Sequence, residues 1–182
     1  MQSVTFITGN QKKADYMRKL LMMPIEHIKL DLDEIQSLDL REIVEYKVRQ
    51  AYDTIQKPVL VDDVSFEFCS LGRIPGTFVK HFVAELWLEK LASLVDGRDR
   101  SAIARCMFWY YDGVTIQFFE WVVEWVVAEK PEWENWFGWD QIFITWENAV
   151  PNACLDDPWI EKFFRKLRPV EQLRAFLLTQ NP

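Results

Sequence analysis

Two carboxylates stand side by side at the end of a short apolar segment, Val59-Leu60-Val61-Asp62-Asp63. Adjacent charges at the end of a buried strand are costly unless they are paired or bound to a metal. Carboxylate oxygens suit Mg²⁺, which commonly takes one or two carboxylates together with substrate phosphates. The pair is therefore a candidate metal site, and the alternative is a solvated turn after a strand.

A second candidate lies in the stretch FITGNQKKADYMRKLL, where a strand end is followed by Thr8-Gly9-Asn10 and then by Lys13. The first N–H groups of a helix lack intrahelical partners and bind phosphate well. Gly9 lets the backbone come close, and the side chains of Thr8 and Asn10 add donors. The GxxxxGK[ST] pattern of a P-loop is absent. The stretch predicts a phosphate-binding turn, and the alternative is a solvated turn with surface lysines.

Two further motifs are less specific by themselves. Leu32-Asp33-Glu34 places an acidic pair after a predicted strand, and a surface turn has the same appearance. Phe137-Gly138-Trp139-Asp140 could stack on a nucleobase and bond its edge or the sugar, but an aromatic turn is often part of a core. Lys47 falls one helical turn from Ile43 and Ala51, so it can point inward beside an apolar stripe.

Together these motifs resemble the inosine triphosphate pyrophosphatase family, whose members hydrolyse non-standard purine nucleoside triphosphates. The resemblance extends from Phe6 to Leu177, and the motifs occur in the family's order: Thr8-Gly9-Asn10-x-x-Lys13, Leu32-Asp33-Glu34, Val59-Leu60-Val61-Asp62-Asp63, Leu71-Gly72-Arg73-Ile74-Pro75-Gly76 and Phe137-Gly138-Trp139-Asp140. It implies a single domain over residues 1–182. It also implies an elongated mixed central β-sheet flanked by helices, with two lobes and a nucleotide cleft between them.

The resemblance implies a reaction and the residues that perform it. Family members use Mg²⁺ to cleave the α–β phosphate bond, releasing a monophosphate and pyrophosphate, and they are usually homodimers. The triphosphate would be held by Thr8, Gly9, Asn10, Lys13 and Lys47, with Lys13 also counted as catalytic. The metal ligands would be Glu34, Asp62 and Asp63, and Asp63 would also activate water. The base and the sugar end would be held by Phe137, Gly138, Trp139 and Asp140.

The chain departs from the family pattern at two motifs, which makes it a divergent member. Relatives usually carry Ser-His-Arg near the C-terminus, where the histidine and arginine read the purine 6-oxo group, and Phe164-Arg165-Lys166 aligns there. Lys162 falls close to a further substrate lysine. Val64 follows Asp63 where a hydroxyl residue is expected, and its backbone N–H could serve instead.

Nine tryptophans beside only six glycines form an unusual composition. Six of them stand where relatives typically carry glycine: Trp87, Trp109, Trp121, Trp125, Trp133 and Trp136. Such replacements should overpack the core or strain the backbone where φ is positive. One hypothesis is a gene from a lineage that reads UGA as glycine, translated as if UGA meant tryptophan. The other is a real aromatic surface, for example at a dimer interface.

The elements that must position these residues follow from periodicity and capping. Strands are predicted over Val4–Thr8 and Ile28–Leu32. A helix is predicted over Leu40–Ile55, capped by Asp39 with Glu42 as its reciprocal partner. Further helices are predicted over Ala14–Leu21 and Thr77–Val95, and further strands over Ser101–Tyr111, Val114–Glu129 and Gln141–Thr145. The Asp112-Gly113 pair predicts a hairpin turn.

Composition limits the classes of function. The chain has 182 residues, 49% of them hydrophobic, and a formal net charge of −7, which disfavours a duplex nucleic-acid binder. The three separated cysteines fit neither a disulfide framework nor a metal motif and indicate the cytoplasm. No apolar run is long enough for a membrane span. A catalytically silent nucleotide-binding module and a protein-interaction module remain as alternatives to the hydrolase.

Overall fold

A computed structural model describes residues 4–132, 139–145, 151, 154 and 169–180. Its strands are β1 (Val4–Ile7), β2 (Ile25–Ile28), β3 (Val59–Phe68), β4 (Pro75–Gly76), β5 (Ser101–Tyr111), β6 (Ile116–Val127) and β7 (Phe143–Thr145). Its helices are α1 (Gln11–Leu21), α2 (Leu40–Ile55), α3 (Val79–Ser93) and α4 (Val170–Thr179), and short 3₁₀ turns occupy Cys69–Leu71 and Asp140–Ile142. The predicted α/β class is confirmed.

Within the described residues the strands form one mixed sheet of seven strands, in the order β2-β1-β3-β5-β6-β7, with β4 paired to β3. β1 is parallel to both β2 and β3, whereas β4 and β7 are antiparallel to β3 and β6. Ile7 of β1 stands in register with Ile28 of β2 and Val61 of β3. The parallel pairing of β1 and β3 stops at Ile7 and Val61, so Thr8 and Asp62 follow at neighbouring positions, although β3 itself continues to Phe68.

The chain divides into two compact units. The first comprises Met1–Asp63, Cys106–Trp121 and Phe164–Pro182, and the second Val64–Arg105 and Val122–Phe163. None of the helices that the structure describes has the length and apolar content needed to cross a bilayer.

The core of the first unit forms where α2 packs on β1 and β3. The predicted apolar stripe of α2 is confirmed, because Val44, Val48 and Ala51 are fully buried. They pack with Ile7, Leu40, Val59, Val61, Met107 and Trp109 in one cluster. The Asp39 side chain caps the helix by accepting from the Arg41 N–H at 2.9 Å, so the predicted bounds of α2 hold.

The predicted reciprocal hydrogen bond of the cap, in which Glu42 accepts the backbone N–H of Asp39, is wrong. The backbone N–H of Asp39 donates to Ser37 Oγ at 2.9 Å, and the Ser37 hydroxyl donates to Glu42 at 2.7 Å. Ser37 stands two residues before the cap, within hydrogen-bond reach of both groups. It therefore takes the place that the capping-box pattern assigned to Glu42.

The predicted strand over Ile28–Leu32 is also wrong, since β2 ends at Ile28 and residues 29–39 contain no helix or strand. All four residues of β1 are already paired with β2, and the chain turns into α1 after Ile7. Residues beyond Ile28 therefore find no strand to pair with. Leu30 and Leu32 are apolar for another reason, because both pack against the α2 core.

Other predicted bounds shift by a few residues. α1 begins at Gln11 rather than Ala14 because Asn10 supplies its N-cap. α3 is shorter than the predicted Thr77–Val95, and residues 140–142 form a 3₁₀ turn, which leaves β7 only three residues. β5 has its predicted bounds, and it is the sheet neighbour of β6 across a short turn that contains Asp112 and Gly113.

In the second unit, Arg100 links the start of β5 to the end of β6. Its guanidinium donates to the carbonyl oxygens of Val127 at 2.8 Å and Ala128 at 2.5 Å, and pairs with Asp96 at 2.9 Å. Phe66 and Phe68 of β3 are buried in the same unit. An Arg100 side chain that satisfies several carbonyl groups stabilises this end of the sheet.

Two tryptophans occupy positions that are unfavourable for so large a side chain. Trp87 interrupts α3 with φ 59° and ψ 167°, and 74% of it is exposed. This backbone region is essentially restricted to glycine. Trp125 is buried against Phe66 and Phe143, and its Nε1 has no hydrogen-bond partner among the described residues. These environments agree with the glycine hypothesis, which stays a prediction because only the codons decide it.

Candidate active site

The turn between β1 and α1 is built by its own polar side chains. Thr8 Oγ1 accepts the Asn10 N–H at 3.2 Å, and Asn10 Oδ1 accepts the Lys13 N–H at 3.2 Å. Both side chains thus act here as acceptors for the backbone, whereas the sequence predicted donors. Apart from Gly9 and its two chain neighbours, no described atom lies within 4 Å of the place where a Cβ would stand on Gly9. The N-terminus of α1 is therefore capped at one amide and open above the glycine.

His27 supports this turn from β2. Its Nε2 lies 2.8 Å from the carbonyl oxygen of Thr8, which requires Nε2 to carry the proton that is donated. The Thr8 N–H donates in turn to the Ile28 carbonyl oxygen at 3.3 Å. Sequence reasoning missed this role, because only the parallel register places β2 beside the turn.

Lys13 and Asp62 form an ion pair where the parallel pairing of β1 and β3 stops. The sequence predicted that the strand ends at the two carboxylates, which is wrong, because β3 continues to Phe68 and Asp62 and Asp63 lie within it. Lys13 Nζ lies 3.0 Å from Asp62 Oδ2, and the Asp62 side chain is only 2% exposed. The first turn of α1 begins at the end of β1, and Asp62 occupies the next position along the parallel neighbour β3. The sequence predicted a phosphate-binding role for Lys13 but did not predict this partner.

Lys47 joins the other two carboxylates of the predicted site. Its Nζ lies 2.6 Å from Asp63 Oδ2 and 2.9 Å from Glu34 Oε1. Burial disfavours the charged lysine, but the attraction and hydrogen bonds of Asp63 and then Glu34 outweigh burial, so the pKa of Lys47 is raised. The ammonium group is therefore held protonated between two carboxylates.

Asp62 and Asp63 meet different helices because successive side chains of a strand point to opposite faces. Asp62 pairs with Lys13 of α1 and Asp63 with Lys47 of α2. The predicted metal ligands thus divide into a Glu34–Asp63 pair and a separate Asp62. Over the described ranges, no group of three or more His, Cys, Asp or Glu side chains is arranged as a metal site.

The Glu34–Asp63 pair fits the chemistry of a divalent cation. Both carboxylates already converge on one positive charge, that of Lys47, and both side chains are partly exposed. Two hard carboxylate oxygens completed by phosphate oxygens are a common Mg²⁺ environment. These two residues are the ones that could hold a metal ion beside a bound triphosphate.

A residue of α2 that the sequence analysis did not consider holds the segment that carries Glu34. Gln50 lies one turn after Lys47 and contacts Asp33 through two hydrogen bonds. The i, i+3 spacing from Lys47 is a signal that could have drawn attention to it, because residues so spaced share one face of a helix.

The other residues predicted for the site lie either in the second unit or outside the described part of the chain. Val64 is half-buried on β3, Trp139 stacks on Phe66 with ring centroids 6.3 Å apart, and Asp140 begins a 3₁₀ turn, all in the second unit. Five predicted residues lie outside the described part of the chain: Phe137, Gly138, Lys162, Arg165 and Lys166.

The chain is similar to known proteins along nearly all of its length. A model of the Ham1 family matches residues 4–175. Inosine triphosphate pyrophosphatase 2 of Trypanosoma cruzi (strain CL Brener) is 40% identical over 145 residues, which cover 77% of this chain and 74% of that protein. Inosine triphosphate pyrophosphatase of Scheffersomyces stipitis is 30% identical over 196 aligned positions, which cover 99% of this chain and 100% of that protein.

Solved structures share the fold. A HAM1 protein from Coxiella burnetii has a TM-score of 0.85 at 23% identity, covering 98% of this chain and 100% of that one. The Ham1 protein of Staphylococcus aureus has a TM-score of 0.79 at 21% identity, with 98% and 100% covered. The resemblance that the sequence motifs carried is confirmed by these matches, and the chain belongs to the Ham1 family.

Proposed function

We propose that this protein hydrolyses non-standard purine nucleoside triphosphates, namely ITP, dITP and XTP, to the monophosphate and pyrophosphate with Mg²⁺. The observation that carries the proposal is the pairing of Lys13, in the first turn of α1, with Asp62 and of Lys47 with Glu34 and Asp63. The printed names of relatives at 30–40% identity support the same substrate class.

In this proposal the triphosphate binds to the start of α1 and to two ammonium groups, and Mg²⁺ would neutralise the carboxylates of Glu34 and Asp63 that pair with one of them. Thr8, Gly9 and Asn10 present the start of α1 to the phosphates, and Lys13 and Lys47 add two ammonium groups. A helix N-terminus and fixed cations favour an anion together. Since the formal net charge is −7, the attraction of a polyanion must come from such a local arrangement.

Hydrolysis needs positioning and charge neutralisation more than covalent catalysis. Glu34 and Asp63 would hold Mg²⁺, whose charge would neutralise the phosphates, while Asp62 pairs with Lys13. Asp63 takes a proton from water, whose oxygen forms a bond to phosphorus at the α–β bridge. The bridging P–O bond breaks, and its electron pair leaves with the departing phosphate group.

The whole chain serves this one activity in the proposal. Residues 1–182 form a single functional domain with two lobes and a nucleotide cleft, and Phe137–Asp140 holds the base and sugar. The protein works in the cytoplasm, which agrees with three free cysteines. It acts as a homodimer, as the family resemblance implies.

Pyrophosphate release from a panel of ITP, dITP, XTP, GTP and ATP, with and without Mg²⁺, tests the proposed function. We expect Mg²⁺-dependent release, fastest with ITP, dITP and XTP. Binding without release by the wild-type protein would instead indicate a silent nucleotide-binding module. If the protein neither binds nor cleaves these nucleotides, an interaction module would be the better description.

The Asp63→Asn variant tests the assigned base. Removing a general base typically lowers turnover by about 10²–10⁴-fold, while the side chain keeps its shape, so nucleotide binding measured by calorimetry should change little. Asp53→Asn is the matched control, because Asp53 is an exposed residue of the same chemical type on α2. Near-normal turnover in Asp63→Asn would remove Asp63 from its role.

A further inference from the structure

Glu34 lies in a segment without regular secondary structure. Residues 29–39 contain no helix or strand, so no backbone ladder fixes the position of the carboxylate. The Glu34 side chain is 50% exposed, yet its Oε1 lies 2.9 Å from Lys47 Nζ. One ion pair to a half-exposed carboxylate fixes a segment only weakly, so other contacts are needed to fix this segment against α2.

Gln50 makes two such contacts, both with Asp33. Gln50 Oε1 accepts the backbone N–H of Asp33 at 2.9 Å, and Gln50 Nε2 donates to Asp33 Oδ2 at 2.9 Å. A side-chain amide can accept from an N–H and donate to a carboxylate with one planar group. The amide is also neutral, so it adds no charge next to Glu34 and Asp63.

The segment is held again three residues after Glu34. Ser37 donates to Glu42 of α2 at 2.7 Å and accepts the N–H of Asp39 at 2.9 Å. Glu34 therefore stands between two anchoring points, and Asp33, its immediate neighbour, is the one held through both backbone and side chain.

We propose that Gln50 is a positioning residue for Glu34, acting through Asp33, and that it sets the affinity of the Glu34–Asp63 pair for a divalent cation. The inference rests on the proposed function for its catalytic consequence. Outer contacts that orient metal ligands typically change metal affinity by about 10–100-fold when they are removed.

The test is a titration of the substrate-free protein with Mn²⁺, followed by the electron paramagnetic resonance signal of the free ion. Gln50→Met removes both hydrogen bonds at similar side-chain length, and we expect affinity for Mn²⁺ to fall by roughly 10–100-fold. Gln36→Met is the matched control, since Gln36 is exposed in the same segment and has no side-chain hydrogen bond among the described residues. Its affinity should equal that of the wild-type protein.

A double substitution separates positioning from general stability. In the double variant Gln50→Glu with Asp33→Asn, the new glutamate still accepts the backbone N–H of residue 33. The side-chain bond is reversed, because the new asparagine donates to the new glutamate. Both contacts are kept and the net charge is unchanged. We expect this variant to recover most of the affinity lost in Gln50→Met. Melting temperatures are measured in parallel, because a merely structural role would change stability without this pattern in Mn²⁺ affinity.

The outcomes are decisive in both directions. Wild-type affinity in Gln50→Met, no recovery in the double variant, or no Mn²⁺ binding by the wild-type protein would each overturn the inference. Pyrophosphate release is assayed on the same preparations. If release is absent while the Mn²⁺ pattern holds, the proposed hydrolase activity fails and the positioning role stands. If release is normal and the Mn²⁺ pattern is absent, the positioning role of Gln50 fails and the proposed hydrolase activity stands.

Discussion

Asp62 and Asp63 differ more in surroundings than their adjacency indicates. The Asp62 side chain is 2% exposed and pairs with Lys13, whereas Asp63 is 27% exposed and shares Lys47 with Glu34. A buried ion pair stabilises only as a pair, because removal of one partner leaves an uncompensated charge. Water reaches Asp63 more readily than Asp62. At the residue scale, Asp63 is therefore suited to chemistry and Asp62 to holding Lys13.

Lys13→Ala should affect both binding and stability. The KM for ITP should rise, because Lys13 is a point charge on the phosphates. The free energy of unfolding should fall by about 1–3 kcal/mol, because Asp62 is left buried without its cation. Steady-state kinetics and urea denaturation measure the two effects.

The companion variant Lys13→Ala with Asp62→Asn distinguishes the two roles of the lysine. Without the buried charge, most of the lost stability should return, while the KM stays high. Recovery of the KM together with stability would mean that Lys13 does not contact the triphosphate.

At the element scale, Trp87 gives α3 a backbone conformation that is unfavourable for a tryptophan. With φ 59° and ψ 167°, Trp87 stores strain on the order of 1–3 kcal/mol. Its indole is 74% exposed, so little apolar burial is lost on truncation. Trp87→Gly should therefore raise the free energy of unfolding by about 1–2 kcal/mol, as measured in urea.

Trp87→Ala is the matched control, because it removes the indole without relieving the backbone. We expect this variant to gain much less than Trp87→Gly. Equal gains in both variants would mean that the side chain, rather than the positive φ, is unfavourable. The result bears on whether glycine is the residue that this helix requires.

The turn between β5 and β6 depends on Asp112. Its carboxylate accepts the N–H groups of Val114 at 2.9 Å and Thr115 at 2.6 Å. Partial burial would raise the pKa of Asp112, but the two backbone donors outweigh burial, so the pKa is lowered from its ordinary 3.8. Gly113 adopts φ 94°, with the Tyr52 ring against the place of a Cβ, so the predicted glycine is required there.

Because the pKa of Asp112 is lowered, the contribution of this turn to the free energy of unfolding depends on pH. The stability that the Asp112 carboxylate contributes is present above about pH 3.8 and is lost as pH falls through the lower folded value. Asp112→Asn keeps an acceptor oxygen but cannot titrate. The difference in free energy of unfolding between the wild-type protein and this variant should therefore shrink as pH falls below about 3.8. A constant difference would contradict the assignment.

At the scale of the whole molecule, we expect the choice of base to depend on residues far apart in the chain. Arg165 and Lys166 lie outside the described residues, and their predicted role rests on alignment with the family motif. Both side chains are hydrogen-bond donors only. A purine 6-oxo group accepts such bonds, whereas the 6-amino group of adenine would leave the donors unpaired at a cost of about 1–3 kcal/mol.

We therefore expect ITP and XTP to be preferred over ATP by roughly tenfold to a hundredfold, with GTP intermediate because of its 2-amino group. The double variant Arg165→Ala with Lys166→Ala should narrow the ratio of kcat/KM between ITP and ATP. An unchanged ratio would place base reading elsewhere, with Phe137–Asp140 as the next candidate.

The sequence by itself determined the features that depend on neighbouring residues. The bounds of α2 follow from its apolar stripe and the Asp39 cap, and the turn at Asp112-Gly113 follows from local turn chemistry. The motif order was enough to assign the family. These signals are local because helix capping and tight turns involve groups only a few residues apart.

Only the tertiary structure decided which side chains meet. Lys13 and Asp62 are 49 residues apart, and their contact follows from the parallel register of β1 and β3. The end of β2 at Ile28 and the support of Thr8 by His27 depend on the parallel register of β1 and β2. Register and helix packing are set by the burial of whole faces, and no short stretch of sequence encodes the pairings that result.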